Sequence, residues 1–120
     1  MKKALPYIFT ILIILAGLAI VFMPSKTSGI PTTATLFVGQ GCPHCKKVED
    51  FIASSTVDKK YPFDVKEVWY NQDNSLVMNK VWQHCGLNGG ANGMTVPLFW
   101  DGTTCYNGDQ EIINFLQTKL

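Results

Sequence analysis

The chain has 120 residues, among them ten lysines, nine acidic residues and no arginine. This length suits one small domain, and three Trp, seven Phe and four Tyr supply the large side chains that a small core requires. Three lysines precede the globular part, where seven lysines against nine acids leave a charge of −2; this charge and the missing arginine argue against a nucleic-acid partner.

An uncharged, apolar segment runs from Leu5 to Met23. As a helix it would be about 28 Å long, close to the thickness of a bilayer core, so we predict one N-terminal transmembrane helix within a membrane anchor at residues 1–24. A cleaved signal peptide and a buried core helix are the alternatives. Lys2 and Lys3 precede the segment and only Lys26 closely follows it, which favours a cytoplasmic N-terminus and an extracytoplasmic domain.

Residues 25–31 form a polar stretch that ends in a proline, and we interpret them as a linker to a domain at residues 32–120. The domain opens with TATLFVG, a run rich in β-branched and apolar residues that predicts a buried strand. The first helix of the domain is predicted to begin at or beside Cys42, because Pro43 fits the first turn of a helix.

The alternating pattern of FDVKEVWY, residues 63–70, predicts a second strand. Asn74 or Ser75 is predicted to cap a second helix, which Gly86 ends. Two further apolar runs, VPLFW and TTCY, flank the dipeptide Asp101-Gly102, a pattern typical of a β-hairpin. Asp109 is predicted to cap a last amphipathic helix.

These elements follow the order β-α-β-α-β-β-α. Strands joined through a helix pair in parallel by a right-handed crossover, whereas the final hairpin is antiparallel. We therefore predict an α/β fold with a mixed four-stranded sheet and helices on both faces.

The stretch GQGCPHCKKVEDF places Cys42 and Cys45 three residues apart on one face of a helix, near enough for their sulfurs to bond. Cys42 lies at the helix tip, where free N–H groups and the helix dipole favour an anion, and we expect its sulfur to be accessible. Cys42 is thus the predicted attacking thiolate and Cys45 the resolving thiol. Pro43 would stiffen the first turn, and His44 would stabilise negative charge on Cys42.

Other uses of these cysteines are a metal site or an inert structural bridge. A zinc site needs four ligands, usually in two short-spaced pairs. The additional candidates are His44, His84, Cys85 and Cys105, and there is no second CxxC. No metal is therefore predicted. A bridge across one helical turn closes so small a loop that it would stabilise little.

Cys85 and Cys105 are predicted to form a second disulfide if the domain lies in an oxidising compartment. A bridge that closes about 20 residues would stabilise the fold by about 3 kcal/mol. Two buried free thiols and a second redox relay are the alternatives.

A strand followed by CPHC, alternating helices, Thr95-Val96-Pro97 before a late strand, and NGD before the closing helix resemble the thioredoxin-like superfamily in its glutaredoxin-sized form. The resemblance covers residues 32–120, and CPHC is similar to the motif of periplasmic disulfide-forming enzymes. It implies that Pro97 is cis and lies against the CxxC, with Val96 and Thr95 binding substrate. It also implies a glutathione contact at Gly108 and Asp109.

We therefore predict a membrane-anchored thiol-disulfide oxidoreductase whose domain is extracytoplasmic. Its redox centre would be the Cys42–Cys45 pair, with no cofactor required and glutathione as an optional co-substrate. Its partners would be protein thiols and disulfides and a membrane or extracytoplasmic redox partner. The alternatives are a glutathione-dependent reductase, a metal or thiol carrier that uses the same cysteines, and a redox-inert interaction module.

Overall fold

A computed structural model describes residues 4–21, 29–89 and 93–120. The first helix, α1, covers Leu5–Val21, and the side chains of residues 4–19 are all exposed. Over the described ranges, no helix combines the length and the apolar character needed to cross a membrane. The predicted transmembrane helix is therefore not found within the described residues, and residues 1–3 and 22–24 of the predicted anchor lie outside them. Residues 25–28 of the predicted linker lie outside the described residues.

The domain that follows has the predicted order of elements with one short helix added. Its elements are β1 (Thr35–Val38), α2 (Pro43–Ser55), α3 (Val57–Lys60), β2 (Asp64–Glu67), α4 (Gln72–His84), β3 (Leu98–Trp100), β4 (Cys105–Asn107) and α5 (Asp109–Gln117). Only α3 has no counterpart in the sequence prediction. It forms a single turn after Thr56, whose φ of 54° ends α2 in the left-handed conformation.

The four strands form one mixed sheet in the order β2-β1-β3-β4. β1 pairs with β2 in parallel and with β3 antiparallel, and β3 and β4 form the hairpin. β2 and β4 are therefore the edge strands. The prediction of a mixed four-stranded sheet is confirmed.

Helices cover both faces of this sheet, as the alternation along the strands requires. On one face, Leu36 and Val38 of β1 and Phe99 of β3 pack with buried residues of α2 and α5. On the other, Phe37 and Leu98 pack with buried residues of α4. β1 is buried along its whole length, which is why its sequence is a continuous apolar run rather than an alternating one.

Three local predictions differ from the structure. The N-cap of α4 is Asn71, whose side chain accepts a hydrogen bond from the Asn74 backbone N–H at 3.0 Å, so this helix begins earlier than predicted. Asp109 is the first helical residue of α5 rather than its cap, which is Gly108. The hairpin has a four-residue loop, 101–104, because the Asp101 carboxylate accepts the backbone N–H groups of Thr103 and Thr104.

Candidate active site

The N-terminus of α2 presents the CPHC motif at one end of the sheet. Cys42 is the N-cap and Pro43 the first helical residue, as predicted. The Cys42 N–H donates to Gly39 O at 3.1 Å, and Gly41, with a φ of 85°, allows the tight turn that this bond closes. The Cys42 sulfur accepts a hydrogen bond from the Cys45 N–H at 3.2 Å. The cysteine therefore plays the capping role usually filled by Ser, Thr, Asn or Asp.

The Cys42 side chain is buried, with 6% of its surface exposed. The expectation of an accessible sulfur is wrong for this conformation, because the capping hydrogen bond turns the sulfur toward the helix and the neighbouring Val96 carbonyl. A cavity of about 580 Å³ nevertheless reaches Cys42. It is lined by residues 38–43 together with Lys46, Glu49 and Glu67.

Cys45 lies one turn further along α2 and is 1% exposed. Burial raises the pKa of Cys45 to about 12, and the Cys42 side chain, to which it is hydrogen-bonded, adds to this effect. The Gly39 N–H, 3.5 Å from the Cys45 sulfur, acts in the opposite direction. Cys45 is therefore a neutral thiol at pH 7. Both cysteines are free.

Pro97 follows a cis peptide bond and lies at the start of β3, as the resemblance implied. The preceding residue, Val96, directs its carbonyl oxygen to within 3.8 Å of the Cys42 sulfur. The Pro97 carbonyl accepts the Gly108 N–H at 3.0 Å, which brings the start of α5 to the same place. Thr95 is exposed, and its hydroxyl donates to the side-chain oxygen of Asn107.

His44 and Asp109 meet across the gap between α2 and α5. The Nδ1 atom of His44 lies 3.0 Å from Asp109 Oδ2, and Lys47 Nζ lies 3.2 Å from the same oxygen. These two contacts hold the pKa of Asp109 down to about 2. One nitrogen of His44 is thus committed to Asp109, and the contact expected between His44 and Cys42 is not among those the structure shows.

Sequence reasoning missed the contribution of the segment after β2. The Glu67 carboxylate accepts the backbone N–H groups of Gln40, Trp69 and Tyr70, and together these bonds hold the pKa of Glu67 below its usual range. The Trp69 ring lies against Gly39 so closely that a side chain on Gly39 would overlap it. The sequence did carry a signal for these contacts. Because β1 and β2 are predicted to be parallel, the segments that follow them must lie at the same end of the sheet.

Cys85 and Cys105 form a disulfide that joins the end of α4 to β4, far in sequence from CPHC. Cys105 is partly buried and packs against the core that α4 covers. Over the described residues there is no group of three or more His, Cys, Asp or Glu side chains that could hold a metal ion.

No family model matches the chain, and no curated protein matches it. Among solved structures, the chain is similar to oxidised glutaredoxin 2 from Chlamydomonas reinhardtii, with 16% identity, a TM-score of 0.49 and 72% of each chain covered. It is also similar to a buckwheat glutaredoxin in complex with glutathione, with 15% identity, a TM-score of 0.49, and coverage of 71% of this chain and 68% of that one. The fold described above is established by the strand order and register and not by these similarities.

Proposed function

We propose that this protein is a thiol-disulfide oxidoreductase that exchanges disulfides with protein thiols through Cys42 and Cys45. The observation that carries the proposal is the pairing of two free cysteines across the first turn of α2, with the first one as the helix cap. The Cys45 N–H donates to the Cys42 sulfur, a contact that favours negative charge there. Cys45 is buried and neutral, so it remains a thiol until a mixed disulfide forms on Cys42.

In the reducing direction, the Cys42 thiolate attacks one sulfur of a client disulfide. A bond forms between Cys42 and that sulfur, and the other client sulfur leaves as a thiolate that takes a proton from water. Cys45 then loses its proton and attacks the Cys42 sulfur, releasing the second client thiolate and closing the Cys42–Cys45 disulfide. Two electrons pass from the pair to the client, and the oxidising direction is the same sequence in reverse.

The backbone of Val96 is proposed to hold the client beside Cys42, with Thr95 and Pro97 shaping the same wall. This assignment is supported by the short distance between the Val96 carbonyl and the Cys42 sulfur. No metal or organic cofactor takes part in the proposed exchange.

The glutathione-dependent alternative has less support. It would use Gly108 and Asp109, but the Asp109 carboxylate is engaged by His44 and Lys47, and the Gly108 N–H donates to Pro97. A glutathione molecule would have to displace these contacts. Recycling of the oxidised protein by glutathione alone, at a rate that matches recycling by a dithiol, would favour this alternative.

The test of the proposed function compares two serine variants. Cys42→Ser should abolish exchange with a model protein disulfide, whereas Cys45→Ser should still attack and should accumulate a mixed disulfide visible by mass spectrometry. Exchange that survives in Cys42→Ser would overturn the assignment. The reduction potential of the pair, measured against glutathione buffers, then tells an oxidant from a reductant.

We further propose an extracytoplasmic location for the domain. Structural disulfides persist in oxidising compartments and are rare in the cytosol, and the Cys85–Cys105 bridge supports such a location. Trapping of thiols in intact cells with a membrane-impermeant reagent, followed by fractionation, tests this. If Cys85 and Cys105 are recovered as free thiols, the support is lost.

A further inference from the structure

The side of α2 that faces β2 is open. The cavity that reaches Cys42 and a second cavity of about 460 Å³ lie one after the other along this side. Glu49, which lines both, marks the place where they meet. The second cavity is lined by α2 residues Ile52 and Ala53, by the segment after α2, and by Leu36 and Val65 of the sheet. We call this pair of cavities the α2–β2 groove.

The floor of the α2–β2 groove is an uncovered part of the sheet. In the parallel register, Val65 is the partner of Leu36, and Glu67 is the partner of Val38. Leu36 and Val38 face α2, so Val65 and Glu67 face the same side. Val65 is nevertheless 57% exposed, although it lies mid-strand. An exposed apolar residue, Val65, thus lies on the edge strand beyond the cavity that reaches the reactive cysteine.

The charges along the α2–β2 groove favour a basic partner. Lys46 is paired with Asp50 at 2.8 Å, which compensates its charge, and Asp58 and Lys59 of the second cavity carry opposite charges. The Glu67 carboxylate is occupied by backbone N–H groups. The carboxylate of Glu49 is exposed and stands at the junction of the two cavities. A cation on the bound molecule would therefore be placed near Glu49.

We propose that the α2–β2 groove binds an extended segment of the disulfide-bearing client, with the client cysteine at Cys42, a basic residue facing Glu49 and apolar residues over Val65. This inference rests on the proposed function, because continuity with Cys42 is what selects a covalently tethered polypeptide over other occupants. A second copy of this chain, or its own apolar helix α1, could also fill the groove, but neither would need the groove to lead to Cys42.

The geometry fixes the spacing of the motif. α2 rises about 1.5 Å per residue, so Glu49 lies about 10 Å and Ile52 about 15 Å from Cys42 along the helix. An extended client advances about 3.3 Å per residue. The basic residue is therefore expected about three residues from the client cysteine, and the apolar residues about four to five residues from it.

The experiment uses the full reduced protein and mixed disulfides that release the coloured 2-nitro-5-thiobenzoate anion when Cys42 attacks. One probe is the peptide Cys-Ser-Ser-Lys-Leu-Leu-Ser-Ser, made also in reverse order because the groove could be entered in either direction. The matched small probe carries 2-mercaptoethanol in place of the peptide. The measured quantity is the ratio of the second-order rate constant for the peptide to that for the small probe.

Val65→Lys should lower this ratio about tenfold, because it removes an apolar contact and adds a charge that repels the basic residue. The matched control is Leu76→Lys on α4, which changes a residue of similar exposure, 54%, on the opposite face of the sheet and should leave the ratio unchanged. Glu49→Lys should reverse the preference of the protein for the lysine peptide over one with glutamate at that position.

The proposal is overturned if Val65→Lys and Leu76→Lys change the ratio equally, or if peptides without the leucines react as fast. It is also overturned if Val65→Lys converts a dimer to a monomer in sedimentation velocity, since the groove would then belong to a second copy. Failure of the proposed function looks different, because the reduced protein would release no coloured anion from either probe.

Discussion

Cys42 and Cys45 are separated by one helical turn, yet their surroundings differ. The Cys42 sulfur accepts the Cys45 N–H, lies 3.8 Å from the Val96 carbonyl oxygen and borders a cavity. The Cys45 sulfur is enclosed by the core and accepts the Gly39 N–H. The two cysteines therefore have different roles in the proposed exchange. Cys42 can react with a client disulfide, and Cys45 can react only with the mixed disulfide that Cys42 has formed.

The raised pKa of Cys45 predicts selective alkylation of the reduced protein. With a pKa of about 12, almost all Cys45 is the neutral thiol at pH 8, whereas the thiolate is the reactive form. Iodoacetamide at pH 8 should therefore modify Cys42 and leave Cys45 unmodified, as peptide mapping by mass spectrometry would show.

The control for this labelling is the same reaction in guanidinium chloride, where burial is lost and both cysteines should be modified. Because the folded-state pKa of Cys45 lies above its usual value of 9.0, the stability it contributes is complete below pH 9 and is lost as the pH rises toward 12. Labelling of Cys45 at pH 8 in the folded protein, at a rate similar to that of Cys42, would contradict the assignment of its environment.

At the residue scale, the sequence correctly predicted the features that depend only on residues adjacent along the chain. Cys42 as the start of α2 and Pro43 in the first turn follow from local rules. The partner of His44 could not be read in this way, because Asp109 is 65 residues away and reaches His44 only once α5 has packed beside α2. The Trp69 ring over Gly39 is a similar case, since it needs β2 aligned with β1.

At the scale of elements, Asp109 joins the first turn of α5 to the first two turns of α2. Its carboxylate contacts both His44 and Lys47, and all three groups lie at the surface beside the CPHC motif. Such exposed ion pairs contribute little to stability individually. Their effect here is to fix the relative position of the two helices that flank the site.

The lowered pKa of Asp109 predicts how its contribution depends on pH. The pKa is about 2 in the folded protein against an ordinary 3.8, so the stabilisation is complete above about pH 4 and is lost as the pH falls toward 2. Urea unfolding of the protein and of Asp109→Asn should show a modest difference at pH 5 that largely disappears near pH 2. Added salt should reduce it.

The matched control is Asp73→Asn, which changes an acid in the first turn of α4 instead. Its effect should not follow the same pH course, because the contacts to His44 and Lys47 are intact. A difference for Asp109→Asn that persisted unchanged at pH 2 would mean that the carboxylate acts through packing rather than through its charge.

Element boundaries show the limit of local rules. Asn74 or Ser75 is predicted to cap α4, yet Asn71 does so, and the Asn74 side chain donates to Glu67 O. The dipeptide Asp101-Gly102 is predicted to form the whole turn, but the Asp101 carboxylate accepts four hydrogen bonds, two of them from backbone N–H groups, and the loop is wider. In both cases the hydrogen bonds of one polar side chain determine which local structure forms.

At the scale of the whole molecule, the domain is one sheet between two sets of helices. Phe99, fully buried, contacts the rings of Tyr61, Phe63 and Phe115 on the α2 and α5 side. Trp100, its neighbour, points to the α4 side. This alternation was predictable, because an order of β-α-β-α-β-β-α leaves no other way to cover both faces. The open α2–β2 groove could not be predicted in this way, because it depends on the distance between α2 and the edge strand.

The structure also predicts where the domain can be cut. The exposed side chains of residues 4–19 bury nothing, whereas the Trp100 indole N–H donates to the Pro31 carbonyl at 2.8 Å and its ring is only 3% exposed. The cut is therefore tested by comparing residues 29–120 with residues 32–120. Residues 32–120 should be less stable by about 1–3 kcal/mol, because a buried donor is left without its acceptor.

Trp100→Phe separates the lost hydrogen bond from other effects of the cut. With the donor removed, residues 29–120 and 32–120 should have nearly the same free energy of unfolding, so the two changes should not add. If the loss on deleting residues 29–31 were the same with Phe as with Trp, packing of that segment rather than the Pro31 carbonyl would be its cause. The domain boundary would then be set by side-chain contacts of residues 29–31 and not by one backbone acceptor.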